Sequence, residues 1–502
     1  MDRLKISALL WVRGVNQTSI ESWSRRTFRY RRALRSAMPS LLSAPHHYSS
    51  AVLPAGLMVP AKIPAESSLK MSYVAPYYIL TGILFKFYLR FPLSRAVAWT
   101  KETGHRSAFP PHDEGWADIQ TDEAFTALRV QGPNPFLLQK KGPDTFEVDF
   151  EPFTKGAFEP VCCTFVLRDG ALAPATIRIG QQVHRPGDAG WERAKFVANS
   201  IDARFTVFLR HLAHTHLISG QSFALSAFAL PPAHPLRPFL DFFTYSTLVV
   251  NDFAFKLLVT PASYFLQSNF IVGEQVGKMF ENMIPHYRLE QLMPRRDIAE
   301  RGIDAIPNHP YVEDGTDAWD VIHSFVGDFV RKTHPDDAAV RADAALAGWY
   351  RQLVTLLPDR SPETHPLDGL ETLVETLSAL VYLNVSHEVS GDFSPFIMSD
   401  SPQHRKLVSH ESLVREDTTP ASASDVFLFE QGAWAGRFEH AGNWLTKLNP
   451  EVETDDLSFR QSLTAFQGAL GELEKRVVER NKARKIPFSR MLPSRWQASI
   501  SY

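Results

Sequence analysis

The stretch RHLAHTHL, residues 210–217, carries His211, His214 and His216 within an otherwise apolar segment. The long apolar runs on both sides of it predict a buried helix. Imidazoles in such a helix either bind a metal or are core residues satisfied by hydrogen bonds. The stretch therefore poses a choice between a metal site and a core helix that happens to carry histidines.

Composition narrows the kind of partner that this protein can have. Of its 502 residues 44% are hydrophobic, enough to bury a sizeable core. A formal net charge of −2 supplies no basic face of the kind that nucleic acid requires, so we expect small-molecule partners and no nucleic acid. The two cysteines, Cys162 and Cys163, are adjacent, which excludes a disulfide framework and a cysteine-ligated metal cluster. Any metal would need nitrogen and oxygen ligands.

The amino-terminal part of the chain, residues 1–70, is predicted to be a basic leader separate from the domain that follows. Through residue 64 it contains ten basic residues but only two acids, Asp2 and Glu21. Such a composition is typical of a mitochondrial transit peptide, with a disordered arm or a misassigned start as the alternatives. The methionines that could be the true start are Met38, Met58 and Met71.

The next segment, SYVAPYYILTGILFKFYLRFPL at residues 72–93, is uncharged from Ser72 to Phe85 and is then broken by Lys86 and Arg90. A spanning helix needs about 20 apolar residues, so this run is too short to cross a bilayer. We expect a buried helix, with a membrane-touching helix as the alternative. The expected location is cytoplasmic or peripheral to a membrane, or mitochondrial if the leader is a transit peptide.

Hydrophobic periodicity predicts a mainly α fold with a small β subregion over residues 71–502. Between Asp144 and Gly180 the stretches DTFEVDFEPF, VCCTFVLRDG and ATIRIG alternate as strands do, and Asp169-Gly170 is typical of a hairpin turn. From Trp191 onward apolar residues recur at helical spacing, with proline-rich breaks between the runs. These patterns favour one large helical domain.

The flanks of RHLAHTHL resemble the lipoxygenases, the non-heme iron dioxygenases of polyunsaturated fatty acids. The residues that match the family's spacing without a gap are Trp191, Ala194, Lys195, Asp202, His211, Leu212, Thr215, His216, His234 and Pro235. The likeness covers roughly residues 100–502, from DEAFTALRVQGPNPFLL to the carboxyl-terminal KIPFSRMLPSRWQASISY. It implies a single lipoxygenase-type catalytic domain without the amino-terminal lipid-binding PLAT β-barrel.

The resemblance also implies an iron site built from two histidines on one helix, a third on another, a further ligand four residues later, and the terminal carboxylate. The helical pair is spaced i, i+5, which leaves the side chains about 140° apart in a regular α-helix and so requires a π-type segment. The ungapped register from Trp191 puts Thr206 and His211 at the two positions of the first helix, and the second helix offers His387 at the third position. The resemblance thus implies His211, His387 and the carboxylate of Tyr502 as metal ligands. The substituted ligand positions in that register are Thr206 and Gly391.

Other residues near the expected site allow more than one interpretation. His211 and His216 are themselves spaced i, i+5, but the flanking landmarks favour His216 as a residue that orients a ligand through a hydrogen bond. His214 is expected at the surface or in a channel. Glu388 is predicted to hydrogen-bond an imidazole or to form a buried ion pair. By alignment, Ser268 lines the substrate pocket, with an ordinary helix serine as the alternative.

Two imidazoles and one carboxylate form the facial triad of many non-heme iron oxygenases, which leaves positions for substrate and O2. We therefore predict an atypical lipoxygenase-like iron enzyme, with manganese as the alternative metal. It would remove a hydrogen atom from a polyunsaturated fatty acid or similar lipophilic molecule and add O2.

Two alternatives to this reaction remain. One is a metal-free lipid-binding or regulatory protein in which Thr206 bonds a backbone carbonyl. The other is a different non-heme iron reaction, such as hydroxylation, dehydrogenation or peroxide rearrangement. We expect a monomer whose membrane contact, if present, is peripheral.

Overall fold

The computed structural model describes residues 121–245, 271–391 and 444–500, six single positions between 247 and 266, and two short strands in the leader. The predictions made for the leader and for residues 72–93 concern residues outside the described part of the chain. Ser268 and Tyr502 also lie outside the described residues.

An antiparallel sheet of five strands forms the β subregion, and each strand pairs with its neighbours in sequence. Asp169 and Gly170 join its two longest strands, with φ values of 52° and 78°. Positive φ at both positions is what a two-residue type I′ hairpin turn requires. The predicted strands and hairpin turn are confirmed. The strands of the chain are β1 His46–His47, β2 Met58–Val59, β3 Gln139–Lys140, β4 Thr145–Asp149, β5 Val161–Arg168, β6 Ala171–Ile179 and β7 Gln182–His184; β1 and β2 pair with each other, and β3 to β7 form the sheet.

Helices make up most of the rest of the described chain, which confirms the mainly α prediction. The α-helices are α1 Asp122–Gln131, α2 Glu151–Thr154, α3 Trp191–Arg204, α4 Gln221–Ser226, α5 Arg237–Phe243, α6 Gly273–Met283, α7 Pro294–Arg301, α8 Pro310–Arg331, α9 Asp337–Ala342, α10 Ala344–Leu356, α11 Leu370–Gly391, α12 Pro450–Glu453 and α13 Leu457–Ala483. Short 3-10 turns lie at Ala227–Ala229, Ile284–His286, Leu289–Leu292, Ile303–Ala305, Ser489–Met491 and Pro493–Arg495.

Between α3 and α4 the chain forms a π-helix, Phe205–Gly220, in which the hydrogen bonds reach five residues back. The backbone N–H of Gln221 donates to the backbone carbonyl of His216. The hydroxyl of Thr215 donates to the backbone carbonyl of Arg210. A π-helix is unfavourable in isolation, so a long one needs support from tertiary packing. The π-type segment expected around the histidines is therefore present.

Two helices lie at the centre of the core. All residues of the π-helix are buried, and α11 packs against it with every residue from 376 to 391 buried. Helices that are buried all round bring their polar side chains into the interior, where those groups need partners. The polar residues of these two helices are therefore the place to look for a site. In the part of the chain that the structure describes, no helix is long and apolar enough to cross a membrane.

Candidate metal centre

Three histidine side chains converge between the π-helix and α11. The Nε2 atom of His216 lies 3.2 Å from Nε2 of His211 and 3.1 Å from Nε2 of His387. The exposed fractions of the three residues are 3%, 2% and 0% for His211, His216 and His387. The π-helix brings the i, i+5 pair onto one face, and α11 supplies the third imidazole.

This spacing of nitrogens fits a metal ion. Metal–imidazole bonds are about 2.0–2.1 Å long, so two of them at a right angle put their nitrogens about 3 Å apart. Neutral imidazole is the form that binds a metal. Burial lowers the pKa of His216 to about 4, although its hydrogen bond to Asn251 acts in the opposite direction. The centre thus offers a neutral nitrogen donor at physiological pH.

Asn251 selects the tautomer of His216. Its Nδ2 donates to the backbone carbonyl of His216 at 2.7 Å, which leaves Oδ1 to accept from Nδ1 of the same imidazole at 3.0 Å. Nδ1 therefore carries the hydrogen, and Nε2 presents a lone pair to the centre. That lone pair faces two other Nε2 atoms, which is the arrangement that a shared cation requires.

The register inferred from the flanks differs from this arrangement at Thr206 and His216. Thr206 is buried, and its hydroxyl donates to the carbonyl of Asp202 at 2.8 Å, which confirms the alternative of a backbone bond. His216 lies within the cluster, in hydrogen-bonding distance of His211, and its expected role in orienting a ligand stays a prediction. Thr206 and His216 are both five residues from His211, so spacing alone could not choose between them; contact with His387 on α11 does.

The remaining side chains expected near the site contribute in other ways. Gly391 is buried in the last turn of α11 and has no side chain to donate a ligand atom. Glu388 lies with Oε1 3.9 Å from Nε of Arg495, in agreement with the ion-pair alternative. His214 is buried rather than at the surface, and its ring centroid is 4.8 Å from that of Tyr287. Surface placement of His214 is excluded because the π-helix is enclosed on all sides, and its placement in a channel stays a prediction.

The carboxyl-terminal segment runs into the interior beside the π-helix. Ala498 and Ile500 are buried, and the hydroxyl of Ser499 donates to the carbonyl of Tyr245 at 2.7 Å. A Cβ atom on Gly220 would lie 2.0 Å from Cδ1 of Ile500, so the glycine makes room for this segment. The chain thus reaches within one helical turn of His216, while the role of Tyr502 as a ligand stays a prediction.

A second cluster, His234, His334 and Asp343, fits hydrogen bonding better than a metal. Nε2 of each histidine lies 3.0 Å from Oδ2 of Asp343. The N–H of Leu236 donates to Nδ1 of His234 at 3.1 Å, so the hydrogen of this neutral imidazole sits on Nε2, where a metal would have to bind. The cluster instead joins the segment before α5, the end of α8 and the start of α10.

We expect Asp343→Ala to lower the free energy of unfolding at neutral pH by about 2–4 kcal/mol, because α10 loses its N-cap and two buried imidazole donors lose their acceptor. Burial alone would raise the pKa of Asp343, but the Leu346 N–H and both histidines lower it to about 2. A depressed carboxyl pKa stabilises the fold above the unfolded value near 4, and that stabilisation is lost as the pH falls towards 2.

Denaturant unfolding of both proteins between pH 7 and pH 2 measures this effect. The difference between wild type and Asp343→Ala should narrow below pH 4. A difference that stays constant down to pH 2 would rule out the carboxylate as its source.

The comparisons with known proteins agree with the fold. A lipoxygenase family model matches residues 175–427, about half of the chain. The linoleate 9/13-lipoxygenase of Pseudomonas aeruginosa is 24% identical, over 76% of this chain and 67% of that protein. The human hydroperoxide isomerase ALOXE3 is 24% identical over 68% of this chain. This chain spans about half of that human relative's length, 51%.

A solved structure shows the same architecture. The delta413-417:GS LOX in complex with arachidonate superposes with a TM-score of 0.67 at 18% identity, covering 95% of this chain and 81% of that one. A mainly α domain with a small sheet is the fold that this solved lipoxygenase structure shares with the chain. The chain belongs to the lipoxygenase family.

Proposed function

We propose that this protein is a lipoxygenase-like non-heme iron oxidoreductase that acts with O2 on a polyunsaturated fatty acid or similar lipophilic molecule. The observation that carries the proposal is the convergence of three buried Nε2 atoms in a member of this family. Bound iron would supply the one-electron oxidation by which a hydrogen atom leaves the methylene between two cis double bonds. The protein would hold the acyl chain and keep water away from the radical.

We assign His211, His216 and His387 as the protein's nitrogen ligands. Where Tyr502 is the terminal residue, its carboxylate completes the ligand set. Three imidazoles favour iron over manganese, which prefers carboxylate and water oxygens. Asn251 holds His216 in the tautomer that binds a metal, as outer hydrogen bonds do at other histidine sites. Linoleate and arachidonate, which appear in the names of a relative and of a solved complex, are the first substrates to test.

Rearrangement of a lipid hydroperoxide is the second candidate. It is favoured by Gly391, which provides no ligand at the position where the family often has a fourth side-chain donor. An additional open position would admit a hydroperoxide oxygen. One relative is named a hydroperoxide isomerase. This reaction consumes no O2, so the two candidates are separable by oxygen uptake.

Metal analysis and oxygen uptake test the proposal. Protein reconstituted with Fe²⁺ without O2 is expected to retain about one equivalent of iron, the capacity of a single ligand cluster. Linoleate should then cause oxygen uptake and the absorbance of a conjugated diene. Conversion of a linoleate hydroperoxide without oxygen uptake would favour the second candidate. Iron below about a tenth of an equivalent would leave the metal-free lipid-binding alternative.

A further inference from the structure

Arg210 lies between the two helices that carry the histidines. It precedes His211 on the π-helix, and its Nη2 donates at 2.9 Å to the hydroxyl of Ser386, which precedes His387 on α11. The same nitrogen donates to the carbonyl of Gln291 at 3.2 Å. One guanidinium therefore links the chain positions next to two candidate ligands.

Neutral groups surround this charge. Arg210 is 3% exposed, and the ring centroid of Phe136 lies 3.8 Å from its guanidinium carbon. Among the described residues no carboxylate forms an ion pair with it. Asp297 attracts it from a distance, but Nε and Nη2 of Arg301 donate to that carboxylate at 3.0 and 2.6 Å, so the Asp297–Arg301 pair is neutral as a whole.

The charge persists despite its surroundings. Burial lowers the pKa of Arg210. Arginine starts from so high a value that its guanidinium stays protonated at neutral pH. The face of the guanidinium is covered by Phe136 and one edge is bonded to Ser386 and Gln291, so a substrate carboxylate would have to displace these groups to reach it. A buried cation without a counter-ion is costly compared with an apolar side chain of similar size.

We propose that Arg210 is a positioning residue that ties the two ligand-bearing helices together, and that its uncompensated charge raises the reduction potential of iron held by His211, His216 and His387. This inference rests on the proposed function, because it concerns the metal that the centre would hold. It assigns to a residue outside the ligand set a role in setting the resting oxidation state.

The direction in which Arg210 shifts the reduction potential follows from Coulomb's law. In the couple Fe³⁺ + e⁻ ⇌ Fe²⁺, a fixed positive charge repels Fe³⁺ more than Fe²⁺, so it shifts the equilibrium towards Fe²⁺. Unit charges on the order of 10 Å apart at an effective dielectric constant of about 20 change the ratio of the two forms roughly tenfold. For a one-electron couple a tenfold change corresponds to about 59 mV.

A redox titration of iron-loaded variants, followed by the electron paramagnetic resonance signal of Fe³⁺, tests the inference. The iron content of each protein is measured first. Arg210→Met should increase the ratio of Fe³⁺ to Fe²⁺ about tenfold at a fixed potential. Arg210→Lys, which keeps the charge, should restore most of the wild-type ratio. Ser386→Ala should leave the ratio near wild type but speed the loss of iron to a chelator, because only the link between helices is removed.

Two further variants distinguish an effect of the charge from an effect of removing a buried side chain. Ser386→Asp keeps the arginine and neutralises its charge in place, so it should shift the ratio in the same direction as Arg210→Met. Arg204→Met removes another buried arginine, seven residues before His211 and over the ring of Phe158, and should shift the ratio less.

Wild-type ratios in Arg210→Met and Ser386→Asp at normal iron content would overturn the inference and leave the proposed function intact. So would an equal shift in Arg204→Met. A wild-type protein that retains no iron would instead overturn the proposed function.

Discussion

Replacing His216 with alanine is expected to reduce iron affinity by more than about 100-fold, since loss of a hydrogen bond behind a ligand alone costs about 10–100-fold. Nε2 of His216 lies within 3.2 Å of both other imidazole nitrogens, so its removal leaves only two imidazoles to hold the metal. Iron content after dialysis against a chelator, together with oxygen uptake, measures the effect.

Two neighbouring residues provide matched controls for His216→Ala. His214→Ala removes another buried imidazole two residues away, which contacts Tyr287 and not the cluster, so it should lose stability but keep iron. Thr206→Ala should also keep iron, because the threonine hydroxyl bonds the carbonyl of Asp202. If His216→Ala retained iron, our assignment of His216 as a ligand would be wrong, and the register inferred from the sequence flanks, in which His216 is not a ligand, would be supported.

Gly220→Ala is expected to destabilise the fold by about 1–3 kcal/mol, the usual cost of overpacking a core, and to weaken iron binding. The new methyl group would overlap Cδ1 of Ile500 and lie 2.8 Å from the carbonyl of Thr215. The carboxyl-terminal segment would have to shift, and with it any ligand that Tyr502 provides. Thermal unfolding and chelator competition measure the two effects.

Gly348→Ala is the matched control for Gly220→Ala, because a Cβ atom at Gly348 on α10 meets no other atom within 4 Å. Adding Ile500→Ala to Gly220→Ala should restore part of the stability, since the two substitutions act on one contact. Deletion of Tyr502 should weaken iron binding without the loss of stability. Unchanged iron affinity in both Gly220→Ala and the deletion would show that the carboxyl terminus is not a ligand.

Local sequence patterns were sufficient to predict the secondary structure. The alternation in β5 and β6 and the Asp169-Gly170 pair identified a hairpin because both signals depend on neighbouring residues alone. The buried helices were likewise visible as long apolar runs. The i, i+5 spacing of histidines indicated a π-type segment, since an α-helix would separate the two imidazoles.

The burial of His214 and Arg210 was not predictable in this way. Polar side chains are usually placed at the surface, and the apolar runs that predict a buried helix do not show that its polar positions are covered as well. The contact of Asn251 with His216 was not predictable either, because it joins residues 35 positions apart in the chain.

The sequence by itself determined the family, the mainly α fold and two members of the histidine cluster, His211 and His387. The third member was decided by tertiary structure. Thr206 and His216 are each five residues from His211 along the chain. The i, i+5 spacing of a ligand pair therefore fits either of them. Only the packing of α11 against the π-helix distinguishes them, because it places His387 against His216 and leaves Thr206 bonded to its own helix.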